Sequence, residues 1–239
     1  MEQGRWAKAR CRLSIAPLAL VLASCGSQAT EAIAEPAAET ARQAAPDVAV
    51  AGPERHILAF GDSLFAGYNV AKTDSYPAKL EAALRGEGIN ARVTNAGVSG
   101  DTSAAGAQRF EFTLGSLEKK PDLLILELGG NDLLRSISPD QTRANLEAII
   151  KTAQAADIPI LLMGMQAPPN MGAEYVAQFR AVYADLARRY GLDFIPFWVE
   201  AVADKPKLIQ QDRVHPTAEG IDVLVGDTLD EVVAALPQG

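Results

Sequence analysis

Residues 57–69, ILAFGDSLFAGYN, pass from an apolar run through Gly61-Asp62-Ser63 into small and polar residues. A short continuous apolar run bounded by glycine has the composition of a strand buried on both faces. Such a strand delivers Ser63 to its carboxyl end, and in open α/β sheets ligands bind beyond the carboxyl ends of the strands. The tripeptide alone is a weak signal, because small residues after a strand often only make a turn and Asp62 could be a helix cap.

Outward from this stretch, short apolar runs alternate with longer amphipathic ones. HILAF (56–60), ARVTNAG (91–97), DLLILELGG (122–130), IPILLMG (158–164) and DFIPF (193–197) read as strands. SYPAKLEAALRGEG (75–88) reads as a helix with Pro77 near its start, and SPDQTRANLEAIIKTAQAAD (138–157) as one capped by Ser138 with Pro139 in the first turn. Two more helices are expected over 173–191 and 218–236, the last with Ile221, Leu224, Val225, Leu229, Val232 and Val233 on one face. No helix is assigned between the second and third strands. The alternation predicts an α/β fold, a three-layer α/β/α sandwich around a parallel sheet, over residues 53–239.

Composition narrows the function. The 239-residue chain is 48% hydrophobic with a net charge of −8, which argues against a nucleic-acid partner. Its two cysteines, Cys11 and Cys25, both lie near the amino terminus, so no disulfide framework or cysteine-rich zinc site belongs to the folded body. Residues 1–24 have the anatomy of a signal peptide: Arg5, Lys8, Arg10 and Arg12 precede LSIAPLALVLAS, which is too short for a comfortable membrane span. The sequence LASC (22–25) resembles a bacterial lipobox, which implies lipidation of Cys25; ordinary cleavage after Ala34 is the alternative. Cleavage before Cys25 removes four cationic side chains and Glu2, leaving an even more acidic chain and the lipid as membrane anchor. Residues 26–52, rich in Ala, Glu, Gln and Pro, read as a flexible linker spanning roughly 30 Å, with a partly helical stalk as the alternative. The expected location is exported, periplasmic and membrane-anchored.

Five candidates fall on one edge of the expected sheet: Ser63 after the first strand, Gly97 after the second, Asn131 in GGND after the third, and Asp212 with His215 in DRVHP. Of the two histidines, His56 opens the first strand, which puts it roughly 23 Å of extended chain from Ser63. His215 is the imidazole left for that serine. Asp212, three positions earlier, can reach imidazole Nδ1 in one tight turn, and Pro216 biases His215 towards an extended backbone. Glu127, inside an apolar strand, is expected to have a structural partner.

GDSL (61–64), Gly97 in NAGVSGDTS, GGND and DRVHP together resemble, in order and context, the SGNH (GDSL) hydrolases, and especially their thioesterase I/lysophospholipase L1/arylesterase branch. The likeness runs over almost all of residues 55–236. It implies a flavodoxin-like sheet, a Ser63-His215-Asp212 triad, and oxyanion donors from the Ser63 and Gly97 N–H groups and the Asn131 amide. It implies no metal or organic cofactor. One departure stands out: DRVHP replaces that branch's usual DGIHP, placing Arg213 beside the triad turn, where it bears on leaving-group preference.

The segment MGMQAPPNMGAEYVAQF (163–179) leaves the fourth strand at the same edge. Its prolines prevent an immediate helix, so a loop overhangs the site, and Pro168 and Met171 are expected to bind acyl chains. Met163 and Met165 read equally well as strand-end core. The expected activity is a serine esterase acting on acyl thioesters, lysophospholipids and aryl or short-chain esters. An envelope carbohydrate O-deacetylase and a non-catalytic acyl-binding lipoprotein are the alternatives. The sequence specifies no oligomeric state.

Overall fold

The computed structural model describes residues 50–237. The expectations for the signal peptide, Cys25 and all but the last positions of the linker lie outside the described residues.

Each of the five apolar runs is a strand: β1 Arg55–Gly61, β2 Ala91–Gly97, β3 Leu123–Glu127, β4 Ile160–Met163 and β5 Asp193–Ile195. They form one fully parallel sheet in the order β2-β1-β3-β4-β5, the flavodoxin-like order. The chain runs outward from β1 to β2, then crosses back to β3. The carboxyl ends of β1 and β3 therefore flank the point where the strand order reverses, where an open sheet leaves a crevice. Ser63 follows one of these strands and Asn131 the other.

Long helices cover both faces. On one face, α2 (Tyr76–Gly86) and α8 (Ala218–Ala235) pack over Ile57 and Ala59 of β1. On the other, α3 (Ser103–Gly115), α5 (Pro139–Ala155) and α6 (Ala173–Tyr190) pack over Leu58 and Phe60. Successive side chains of a strand point to opposite faces, so β1 alone feeds two separate cores. Short helices follow three strands: α1 (Ser63–Ala66) after β1, α4 (Gly130–Leu134) after β3 and α7 (Glu200–Ala203) after β5. Among the described residues, no helix is long and apolar enough to cross a membrane.

Ser138 caps α5 by accepting from Gln141 N–H at 3.3 Å, with Pro139 in the first turn, as its sequence predicts. The expected apolar face of α8 is also present: Ile221, Leu224, Val225 and Val232 are buried, and Leu229 and Val233 pack against them. Helix α3 is the element the pattern misses. Its buried side is made of small residues and one aromatic, Ser103, Gly106 and Phe110, while Phe112 is 81% exposed. Small residues register weakly in hydrophobic periodicity. A Cβ on Gly106 would stand 2.4 Å from a Leu128 methyl, so the small residue lets α3 close on the chain leaving β3.

Candidate active site

Helix α1 starts immediately after β1, and its cap is Asp62, whose Oδ1 accepts Leu64 N–H at 3.0 Å. The capping alternative for Asp62 and a functional Ser63 are thus compatible. As the first helical residue, Ser63 has no intrahelical acceptor for its own N–H. Phe65 of α1 stacks on Tyr76 with ring centroids 5.2 Å apart and meets the edge of Trp198 at 5.6 Å, and all three rings are buried. This cluster anchors the turn that carries the serine.

The other half of the site arrives 152 positions later. Ser63 Oγ lies 2.7 Å from His215 Nε2, and His215 Nδ1 lies 2.7 Å from Asp212 Oδ2. Asp212 Oδ1 accepts the N–H groups of Val214 at 2.9 Å and His215 at 3.0 Å, closing the turn on itself. Partial burial pushes the Asp212 carboxyl up, but the Val214 and His215 hydrogen bonds outweigh it and hold the group down at about 2. An ionised Asp212 fixes the imidazole with Nδ1 protonated and leaves Nε2 to accept the serine proton. Arg213 sits at φ 61°, a left-handed conformation that costs a non-glycine residue roughly 1–2 kcal/mol. Pro216 pairs with Ile209 in an isolated antiparallel bridge that holds the turn in place.

Two residues that sequence reading passed over support the histidine. Tyr68 lies over the imidazole with ring centroids 4.3 Å apart. Gln210 Nε2 donates to both Tyr68 O at 2.9 Å and Pro216 O at 2.8 Å, tying the segment after Ser63 to the segment after His215. Neither leaves a motif, because each acts through a contact between distant parts of the chain. His56, at the opposite end of β1, pairs with Glu54 at 2.8 Å.

Asn131 lies in α4, with Nδ2 donating to Asp62 Oδ2 at 3.1 Å. The helix is clamped from two sides. Tyr183 of α6 donates to Leu128 O at 2.9 Å, and a Cβ on Gly129 would stand 2.0 Å from that hydroxyl. On the other side the wholly buried Asp132 accepts Ser103 N–H at 2.8 Å, the Ser103 hydroxyl at 2.5 Å and the Thr142 hydroxyl at 3.0 Å. The neighbour of Asn131 thus joins α3, α4 and α5. In sequence Asp132 is an ordinary loop acid, and only its burial shows its role.

Gly97 does not fit the part expected of it. Its N–H is already taken, donating to Asn95 Oδ1 at 2.9 Å. A Cβ there would stand 2.3 Å from Ala66 N and 2.8 Å from Asp62 O. The glycine lets the end of β2 close on α1; it does not make room for an oxyanion. Gly61 follows the same logic, since a Cβ would stand 2.6 Å from Glu127 Oε2. The glycines around the serine turn therefore serve packing beneath the site.

Ser63 and His215 open into a cavity of about 710 Å³, within the range of small-ligand sites. Its apolar lining includes Leu134, Met165, Pro168, Met171, Val199 and Ile209. Pro168 and Met171 therefore lie on the same cavity as the serine. Met163 is fully buried in the core, whereas Met165 reaches the cavity, so the two methionines of one strand end divide between the two readings open to them.

A parallel sheet with a Ser-His-Asp array at its carboxyl edge defines a serine hydrolase. The chain belongs to the GDSL-like lipase/acylhydrolase family, whose model matches residues 59–223. It is an ester hydrolase of the SGNH type. The esterase TesA of Pseudomonas aeruginosa is 39% identical over 160 residues, spanning 67% of this chain and 79% of TesA. The thioesterase 1/protease 1/lysophospholipase L1 of Escherichia coli K12 is 37% identical over 163 residues, 68% of this chain and 76% of its own. Among solved structures, AlinE4, an SGNH-hydrolase family esterase, superposes with a TM-score of 0.67 at 59% identity, covering 79% of this chain and all of AlinE4.

Proposed function

We propose that the protein hydrolyses acyl thioesters, lysophospholipids and aryl or short-chain esters through an acyl-enzyme on Ser63. The observation that carries this reading is the 2.7 Å approach of Ser63 Oγ to His215 Nε2 at an apolar-walled cavity of about 710 Å³. His215 takes the serine proton as Oγ attacks the acyl carbonyl, then gives it to the leaving alkoxide or thiolate. Water, deprotonated by the same nitrogen, releases the acid. The tetrahedral oxyanion is met by Ser63 N–H and the Asn131 amide. In the loop after β2, the glycine tied to the Asn131 helix is Gly100, at φ 87° with its carbonyl accepting from Arg135 Nη2 at 2.9 Å. We assign the third donor to the Gly100 amide in place of Gly97.

The names of the relatives favour thioesters and lysophospholipids as substrates, and the methionine-bearing wall suits a flexible chain. We further infer, from LASC and the linker behind it, that the enzyme works at a membrane through a lipid on Cys25. A hydrolysis panel of acyl thioesters, lysophospholipids, aryl acetates and acetylated sugars, run with the wild type and Ser63→Ala, tests the activity. Turnover confined to acetylated sugars would replace this reading with a deacetylase, and turnover surviving in Ser63→Ala would remove the nucleophile.

A further inference from the structure

Glu127 ends β3 with its side chain wholly buried, and no step of the reaction above uses it. Its Oε2 accepts the backbone N–H of Asp62 at 3.1 Å, and its Oε1 meets no donor among the described residues. A buried carboxylate oxygen without a donor is costly, whereas a protonated carboxyl needs only an acceptor for its O–H. The neighbouring Asp62 carboxylate is the acceptor such a proton would use. Burial pushes the Glu127 carboxyl well above the usual range, and the charge of Asp62 adds to the effect. Burial pushes the Asp62 carboxyl up as well, but Asp62 takes Leu64 N–H on Oδ1 and Asn131 Nδ2 on Oδ2, two donors that favour its ionised form, whereas Glu127 takes one.

A chain of groups thus runs from inside the sheet to the site: Glu127, Asp62, Asn131. The two ends of an asparagine amide have nearly equal shape but opposite hydrogen-bonding character. A fixed carboxylate beside Asn131 holds Nδ2 and repels Oδ1, leaving the second hydrogen of Nδ2 for the substrate. If Asp62 could turn, the amide could flip and present a carbonyl to a developing negative charge. We propose that Glu127 is a positioning residue: through its hold on Asp62 it makes Asn131 offer N–H, and not C=O, to the oxyanion. This rests on Asn131 being an oxyanion donor, as assigned above.

The test is a double-mutant cycle on the full chain with a soluble aryl ester. Asn131→Ala should lower kcat by roughly 10²–10³-fold, the cost of losing one such donor. Glu127→Leu, which keeps bulk without hydrogen bonds, should lower kcat roughly 10- to 100-fold with little change in KM, because the donor is disordered and not deleted. Glu127→Gln supplies both an acceptor for Asp62 N–H and a donor for the Asp62 carboxylate, and should restore kcat to within about threefold of wild type. In the Asn131→Ala background Glu127→Leu should cost less than about threefold, since a residue acting through Asn131 has nothing left to position. Multiplying losses, or Gln as damaging as Leu, would overturn the proposal while leaving the oxyanion assignment intact. An Asn131→Ala enzyme with undiminished kcat would overturn both. Should the leucine variant not fold, Glu127→Asp replaces it, with a side chain one methylene too short to hold Asp62. The same non-multiplying loss of kcat is expected, and wild-type kcat in that variant would also overturn the proposal.

Discussion

Asp212 is held at about 2, below its ordinary 3.8, by hydrogen bonds that exist only in the folded turn. A carboxyl depressed on folding stabilises the native state above its ordinary value, and that contribution disappears as pH falls through the depressed one. Asp212→Asn should therefore melt below wild type at pH 6, with the gap closing between about pH 4 and 2. Thermal melts of both proteins across that range check this, and a gap independent of pH would show that the folded turn does not favour the ionised form. At this scale the sequence exposed Ser63, Asp212 and His215 well, because one of two histidines was too far away and a carboxylate three positions before the other can close a turn. It offered no ground for choosing between Gly97 and Gly100, the donor proposed above. Which glycine amide is free depends on whether a neighbouring side chain, here Asn95, has already accepted it. Glu127 was conspicuous as an acid in an apolar strand, but its partners are a backbone N–H and a carboxyl 65 positions away.

Among the elements, the segment between β4 and α6 is the one that bears on substrate choice. Pro168 precedes a short 3₁₀ turn, Pro169–Met171, and Gly172 at φ 90° redirects the chain into α6. Met171 thereby faces the cavity at a distance along the chain from the triad. Each methylene removed from water contributes roughly 0.8 kcal/mol, so weakening this wall should penalise long acyl chains progressively. Met171→Ser should lower kcat/KM for long-chain thioesters and leave aryl acetate hydrolysis nearly unchanged. Equal losses on both substrates would mean the segment supports the triad geometry and does not read chain length. The element pattern was legible where strands and helices carry large apolar residues at a clear period, as in β1 and α8. It failed at α3, whose docking face is made largely of small residues, Ser103 and Gly106, beside Phe110. Period analysis counts bulk, and this helix packs by lacking it.

For the whole molecule, the folded body described from residue 50 onward holds Ser63, Asp212, His215 and the cavity they share, so a chain beginning near residue 52 is expected to hydrolyse a soluble ester at the wild-type rate. Cys25→Ser should shift the protein from the membrane fraction to the soluble one with kcat/KM on a soluble ester unchanged. Membrane retention in that variant would rule out the proposed lipid anchor. The separation of Ser63 from His215 by 152 positions has a further result. Strand β1 can pair with its neighbours, and the apolar walls can form, while the loop carrying Asp212 and His215 is still undocked. Contacts so distant in sequence are slow to close. During refolding, hydrolysis should return only with the slowest phase, after the sheet signal has recovered; earlier activity would mean another group serves as base. A ribosome still making this chain thus carries a polypeptide that cannot yet attack an ester. Any ester it meets while it is being made is protected by the order of assembly.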